Sequence, residues 1–235
     1  MSQVARQPIT APPILIAPAW RLLAALCGVV GTLTLIGSFF INPAPPPNLT
    51  LAQLADWAIQ HHTTLILGGW LQGVGSTLTV LFVLALAQMA GYMHRFAGWV
   101  ALLSGAALVA VSLAEVSLYL TAAQAAVEGD AATGTVSTAL IKGVQHVFLI
   151  VPAILLPTGI IILGSHVLPR GFGYAALLIG AVLQVLGLVN LFDVLQPVID
   201  AGLILQGVWF LVAALTLAVR AVPAPVQPPL VSAAG

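Results

Sequence analysis

The sequence predicts an all-α membrane protein, a bundle of six transmembrane helices. The chain has 235 residues, of which 60% are hydrophobic and only 5% are charged, whereas about a quarter of the residues of a soluble domain are charged. Its mean hydropathy is +1.13, and its apolar residues form blocks of about 20 residues, the length at which a helix crosses a ~30 Å hydrocarbon core. The composition therefore excludes a water-soluble globular protein.

Six apolar blocks follow a short N-terminal segment that contains several prolines. We expect helices and not a barrel, because lipid offers no partner to open backbone groups and the alternating pattern of barrel strands is missing. The predicted spans are residues 20–41, 63–93, 96–121, 139–167, 172–194 and 198–220. They form one transmembrane domain over residues 19–220, and the tails at 1–18 and 221–235 are expected to be disordered.

Local sequence features predict the structure of two connections and a kink in one span. In residues 49–60, apolar residues at helical spacing and a cap at Asn48 or Thr50 predict a short amphipathic helix in the membrane interface. Residues 122–138 are rich in Ala, Gly and Thr and are expected to form an exposed loop. Pro152 and Pro157 are expected to kink the fourth span.

The arginines predict the orientation of the bundle. All five fall on one side of the predicted spans: Arg6, Arg21, Arg95, Arg170 and Arg220. The positive-inside rule assigns this side to the cytoplasm, so both termini are expected there, and the Ala-, Gly- and Leu-rich composition indicates a bacterial plasma membrane. The six acidic residues fall on or toward the opposite side. Because six basic residues balance them, no basic surface for nucleic acid is expected.

Glu115 is the strongest candidate for a functional residue, because acidic side chains inside a membrane are costly and are usually functional. It lies about six residues before the expected end of the third span, hence ~9 Å below the outer surface. Ser104, Ser112 and Tyr119 continue its helical stripe, so we expect Glu115 to face the bundle. It can serve as a proton- or cation-handling carboxylate or as a packing residue. Gln72 is predicted to make an interhelical hydrogen bond on a close-packing face.

Other predicted helices contribute polar residues at a depth below the outer membrane surface similar to that of Glu115. The candidate ligand- or ion-binding residues besides Glu115 are Lys142, Gln145, His146, Asn190 and Asp193. His146 is the expected partner of Glu115, because it enters the fourth span at a comparable depth. Imidazole and carboxylate groups also bind metals, so a candidate metal or haem site consists of His61, His62, His146 and Glu115. Their spacing matches no specific ligand motif, and the identity of any cofactor is left open.

Several chemistries lack their motifs. The sequence contains no phosphate-binding loop, no H-E-x-x-H, no G-x-S-x-G and no C-x-x-C. ATP-driven transport and zinc proteolysis by this chain alone are therefore not expected, and a non-enzymatic protein is favoured over an enzyme. Its single cysteine, Cys27, lies in the first span and cannot form an internal disulfide.

The chain also resembles an uncharacterised family of bacterial six-helix integral membrane proteins of similar length. The likeness covers roughly residues 20–220 and depends on the long outer segment before the second span and on the turn Leu168-Pro169-Arg170-Gly171-Phe172-Gly173-Tyr174. It implies the fold and the membrane location, and it implies no activity.

Three functions follow as hypotheses. The leading one is a non-enzymatic accessory or small-ligand-binding membrane protein that uses the outer polar residues. The second is a small secondary transporter or channel in which Glu115 handles protons or cations and the kinked fourth helix gates. The third is a haem- or metal-binding protein that uses His62 and His146. The lipid bilayer is the expected partner, and small-residue stripes allow a homo-oligomer or a membrane complex.

Overall fold

The described part of this protein is built from α-helices. The computed structural model describes residues 16–42, 49–147, 153–190, 192 and 196–222. Within these ranges it has eight α-helices and no β-strand, which confirms the all-α prediction. In chain order they are α1 (Pro18–Ile41), α2 (Leu51–Gln60), α3 (His62–Met89), α4 (Phe96–Glu128), α5 (Ala131–Val147), α6 (Leu155–Leu163), α7 (Arg170–Asn190) and α8 (Gln196–Val219).

Five of these helices, namely α1, α3, α4, α7 and α8, are long and apolar enough to cross a membrane. Their outward faces expose large apolar side chains; Leu103 on α4 and Leu178 on α7 are 73% and 67% exposed. Contiguous apolar surface of this kind is rare on soluble monomers. The distribution is that of helices surrounded by lipid.

Glycines allow α1 and α3 to pack at very short range. A Cβ added to Gly31 would lie 2.7 Å from the backbone nitrogen of Thr79, and one added to Gly75 would lie 2.7 Å from that of Leu35. Residue numbers fall along α3 as they rise along α1, so the two helices are antiparallel. Small residues at such an interface bring the backbones together, which replaces the hydrophobic driving force that lipid removes.

Aromatic side chains join α3, α7 and α8 in the core. Phe82 of α3 is fully buried and packs edge-to-face against Phe210 of α8, with ring centroids 6.3 Å apart. The indole Nε1–H of Trp209 donates to the backbone oxygen of Phe172 at 3.1 Å. These contacts fix the rotation of α8, so that its remaining faces meet lipid.

The prediction of a single helix over residues 139–167 is wrong. α6 has only nine residues, about 14 Å, and a turn at Ala153 and Ile154 precedes it. Pro157 lies in the first turn of α6, where the missing N–H has no intrahelical partner to lose. This proline is therefore accommodated at the start of a helix and does not kink a continuous one. Pro152 lies outside the described residues.

The prediction of a loop over residues 122–138 is also wrong, because α4 continues to Glu128 and α5 begins at Ala131. Gly129 caps α4 with φ +74°, a left-handed conformation that glycine adopts without a steric penalty. Asp130 Oδ1 accepts the backbone N–H of Thr133 at 3.1 Å and so caps α5. Alanine is the best helix former, so the alanines of this segment extend both helices to a two-residue turn.

α2 is the short helix expected in residues 49–60, and Thr50 is its cap. Thr50 Oγ1 accepts the backbone N–H of Gln53 at 3.3 Å, and Gln53 Oε1 accepts that of Thr50 at 2.9 Å, which is a complete capping box. Ala58 of α2 is buried in a small apolar cluster with Leu65 of α3 and Ala123 of α4. The position of α2 in the membrane interface stays a prediction.

Candidate functional site

Four polar side chains meet between α3 and α4, and we call them the polar seam: Gln72, Ser76, Ser112 and Glu115. The Nε2–H of Gln72 donates to Glu115 Oε2 at 2.7 Å. The hydroxyl of Ser76 lies 3.0 Å from that of Ser112, and also within 2.8 Å of the backbone oxygen of Gln72. The seam thus pairs two residues one turn apart on α3 with two residues on one face of α4.

Small residues bring the two helices close enough for these bonds. A Cβ added to Gly69 would lie 3.1 Å from Val116, and one added to Gly73 would lie 3.2 Å from Leu113. Both glycines are close in sequence to Gln72, so the backbone of α3 approaches α4 where the amide must reach the carboxyl group. A Cβ at either position would require the side chain of Val116 or Leu113 to move by a few tenths of an ångström.

The seam is closed to solvent. Glu115 is 9% exposed, Gln72 is 4% exposed and the two serines are each 1% exposed. The burial of Glu115 and Ser112 agrees with the expectation that this stripe faces the bundle. A carboxylate has about four acceptor positions, and the one amide N–H from Gln72 satisfies a single one of them. A buried charge with so little compensation is expensive.

Glu115 lies deeper along its helix than the sequence suggested. It is roughly 20 Å from the end of α4 at Glu128 and not ~9 Å from a helix end, because α4 does not stop near residue 121. Measured from Phe96 it is roughly 28 Å along the axis, and Gln72 is roughly 26 Å from Met89 along α3. The two residues are thus level across the α3–α4 hairpin.

That equality is the signal by which the sequence could have identified Gln72 as the partner of Glu115. Two helices joined by a short turn place residues at equal distances from the turn side by side. Both Gln72 and Glu115 were already candidates for interhelical contact, and counting from the turn would have paired them.

His61 and His62 lie where α2 meets α3. His61 Nδ1–H donates to the backbone oxygen of Trp57 at 2.8 Å, and its ring stacks on the Trp57 indole with centroids 4.8 Å apart. His62 is half-buried at the start of α3, roughly 15 Å along that helix from Gln72. Within the part of the chain that the structure describes, no three His, Cys, Asp or Glu side chains are grouped as a metal site would require.

The remaining candidates are placed only by their backbone or not at all. Lys142, Gln145 and His146 belong to α5, which runs back along α4, and His146 is roughly 22 Å along α5 from its start, a level comparable to that of Glu115. Asn190 ends α7. The side chains of these four residues, and all of Asp193, lie outside the described residues, so their roles, and the haem or metal site that uses His146, stay predictions.

The fold and the seam together define a multi-pass helical membrane protein with a buried carboxyl group between two of its spans. Comparison with known proteins finds no match: no protein-family model, no curated protein and no solved structure is detectably similar to this chain.

Proposed function

We propose that this is a non-enzymatic, small-ligand-binding integral membrane protein, and that Glu115 in the polar seam binds the ligand, a proton or another small cation. The observation that carries the proposal is the Gln72–Glu115 hydrogen bond inside the bundle. An ionised carboxylate at this position needs a cation to offset its charge, and a neutral one holds a proton that it can release. Either way the occupancy of Glu115 responds to the cations around it.

The neighbouring residues favour a binding role over simple packing. Replacing a buried polar pair by apolar residues of similar volume is often neutral or stabilising, so packing alone does not require an acid here. The amide of Gln72 donates to Oε2 of Glu115, so that hydrogen bond leaves the other carboxyl oxygen available to a ligand. The hydroxyls of Ser76 and Ser112 extend the polar surface by one turn toward the start of α4. They provide further oxygen ligands of the kind that hard cations prefer.

Infrared difference spectroscopy tests the proposal. The purified full-length protein in lipid nanodiscs is stepped in pH, with and without sodium ions, and the bands of protonated and ionised carboxyl groups are recorded. We expect a carboxyl signal that changes with pH or sodium in the wild type and is lost in Glu115→Gln. Glu128→Gln is the matched control, because Glu128 is exposed at the end of the same helix and bonds to Gln124 at 2.7 Å.

Two results would contradict the proposal. One is a wild-type signal that persists unchanged in Glu115→Gln, which would assign the response to another carboxyl group. The other is a Glu115 band that does not respond to pH or sodium. Circular dichroism of both variants checks that the helices are intact, which is expected because glutamine keeps the shape of the side chain and its capacity to accept the Gln72 hydrogen bond.

We further propose that the chain crosses a bacterial plasma membrane six times with both termini in the cytoplasm. The backbone N–H of Ile16 donates to the oxygen of Val222 at 2.9 Å, so α1 begins and α8 ends on one side of the bundle. A chain that begins and ends on one side makes an even number of crossings. The five long helices supply five, and α5 with α6 can share the sixth. The arginines at this end support its cytoplasmic assignment.

A secondary transporter that uses the same carboxyl group is the second candidate, and the divided crossing at α5 and α6 favours it. Discontinuous helices are frequent at the binding sites of transporters, where freed backbone groups and helix ends face the substrate. Reconstituted wild-type protein would then carry a pH-driven cation flux in liposomes that Glu115→Gln abolishes and Glu128→Gln preserves. Equal flux in the wild type and Glu115→Gln would exclude this role.

A further inference from the structure

One end of the bundle carries positive charge that the described chain does not neutralise. It is the end at which α1, α4 and α7 begin, and the arginines that the structure describes there are Arg21, Arg95, Arg170 and Arg220. The acidic residues that the structure describes all belong to other parts of the bundle: Asp56, Glu115, Glu128, Asp130 and Asp200. No acidic residue that the structure describes lies at this end to serve as their counterion.

Tyr92 ties two of the loops at this end together. Its hydroxyl donates to the backbone oxygen of Gly164 at 3.0 Å, which links the turn after α3 to the end of α6. The guanidinium carbon of Arg95 lies 4.5 Å from the centroid of the Tyr92 ring, a cation–π contact. Gly164 has no space for a Cβ, because the Tyr92 hydroxyl occupies it. Arg95 is thereby held next to the segment that leads to α7.

The two linked loops carry four exposed basic side chains, and we call them the basic corner: His94, Arg95, His166 and Arg170. His94 and Arg95 follow Tyr92 by two and three residues, and His166 follows Gly164 by two residues. Arg170 is the first residue of α7, and it lies within a turn in which the N–H of Phe172 donates to the oxygen of Pro169 at 3.0 Å. The corner therefore combines two imidazoles and two guanidinium groups from two loops joined by one hydrogen bond.

Aromatic residues place the basic corner at the depth of lipid headgroups. Phe96 and Trp99 of α4 and Tyr174 of α7 are 84%, 59% and 64% exposed, and each lies within about one turn of Arg95 or Arg170. Exposed aromatic side chains at helix ends mark the membrane–water interface. In a bilayer, side chains at this level would meet the lipid headgroups.

We propose that the basic corner binds the phosphate of an anionic phospholipid such as phosphatidylglycerol. Guanidinium groups match phosphate oxygens with paired hydrogen bonds, and the imidazoles add N–H donors. The bilayer supplies this ligand at high local concentration to a site at headgroup depth. The half-buried Arg21 at the same end, whose Nε has no hydrogen-bond partner within the described chain, shows the same need for an external acceptor.

The test is lipid binding by the purified full-length protein. Native mass spectrometry of protein in neutral detergent, titrated with phosphatidylglycerol and with phosphatidylcholine, gives the affinity for each lipid. We expect preference for phosphatidylglycerol, and a loss of about fivefold in that affinity for Arg95→Gln or Arg170→Gln. Arg220→Gln is the matched control, because it removes the same charge from the same end outside the corner. It should keep the wild-type affinity.

Tyr92→Phe distinguishes a binding site that depends on the geometry of the two loops from general attraction between opposite charges. It keeps the ring under Arg95 and removes only the hydroxyl that reaches Gly164, so binding should weaken although no charge is lost. Equal loss in Arg220→Gln and Arg95→Gln, together with unchanged binding in Tyr92→Phe, would overturn the proposal. So would displacement of the lipid by equimolar inorganic phosphate, which would make free phosphate the ligand. All substituted side chains except the half-buried Arg220 and Tyr92 are exposed, and circular dichroism checks each fold.

Discussion

Gly75→Ala is the substitution whose effect the structure determines most directly. The added Cβ would lie 2.7 Å from the backbone nitrogen of Leu35 and 2.9 Å from the backbone oxygen of Gly31. Ordinary van der Waals contact begins at 3.4 Å, so α1 and α3 would have to separate by about 0.7 Å here. Both obstructing atoms are backbone atoms, and no side-chain rotation can relieve the contact.

The expected cost follows from that displacement. Forcing extra atoms into a close-packed interface typically costs about 1–3 kcal/mol, which is about a 5- to 150-fold change in the unfolding equilibrium. Gly37→Ala on α1 is the matched control, because a Cβ there meets nothing within 4 Å. Alanine is also a better helix former than glycine by about 1 kcal/mol, so this control should be neutral or stabilising.

Reversible unfolding in mixed detergent micelles, followed by circular dichroism, measures both variants against the wild type. The reasoning predicts a loss of stability for Gly75→Ala and none for Gly37→Ala. If Gly75→Ala is as stable as Gly37→Ala, the close approach of α1 and α3 is not what holds these helices together.

Three further predictions concern the polar seam and the helix caps. Gln72→Leu should destabilise the protein by about 1–3 kcal/mol in the same unfolding assay, because it leaves the buried carboxyl group of Glu115 without its hydrogen-bond donor. The double variant Gln72→Leu/Glu115→Leu should recover most of this loss. If it recovers none, the two residues are not paired. Thr50→Ala should cost α2 about 1 kcal/mol, seen as faster hydrogen exchange in its first turn, and unchanged exchange would mean that the capping box is not stabilising. The hydrogen bonds from Thr133 lower the pKa of Asp130. This cap therefore stabilises α5 at pH values above the unfolded pKa of the carboxyl group, and the stabilisation is lost as the pH falls through the lowered folded pKa. Hydrogen exchange in the first turn of α5 should rise in acid in the wild type, and an equal acid response in Asp130→Asn, which has no carboxyl group to protonate, would refute this.

Short-range signals in the sequence could have predicted the end of α4 and the start of α5 within residues 122–138, where a loop was expected. Glu128-Gly129-Asp130 contains a glycine that suits a helix C-cap and an aspartate that suits the next N-cap, and alanines flank it on both sides. Pro157 was ambiguous from the sequence, because a proline fits both a kinked helix and the first turn of a new one. The turn at Ala153 and Ile154 decides between these, and it depends on packing as well as on local preference.

The sequence by itself predicted a helical chain with several segments of membrane-spanning length, and the structure confirms the helices and five such segments. These properties follow from the length and composition of single segments, which each segment carries without reference to the others. Only the tertiary structure decided that Glu115 pairs with Gln72, and that Tyr92 joins two loops next to Arg95. Those contacts depend on which helices are neighbours, how each is rotated and how closely glycines let them approach, and one-dimensional periodicity specifies none of these.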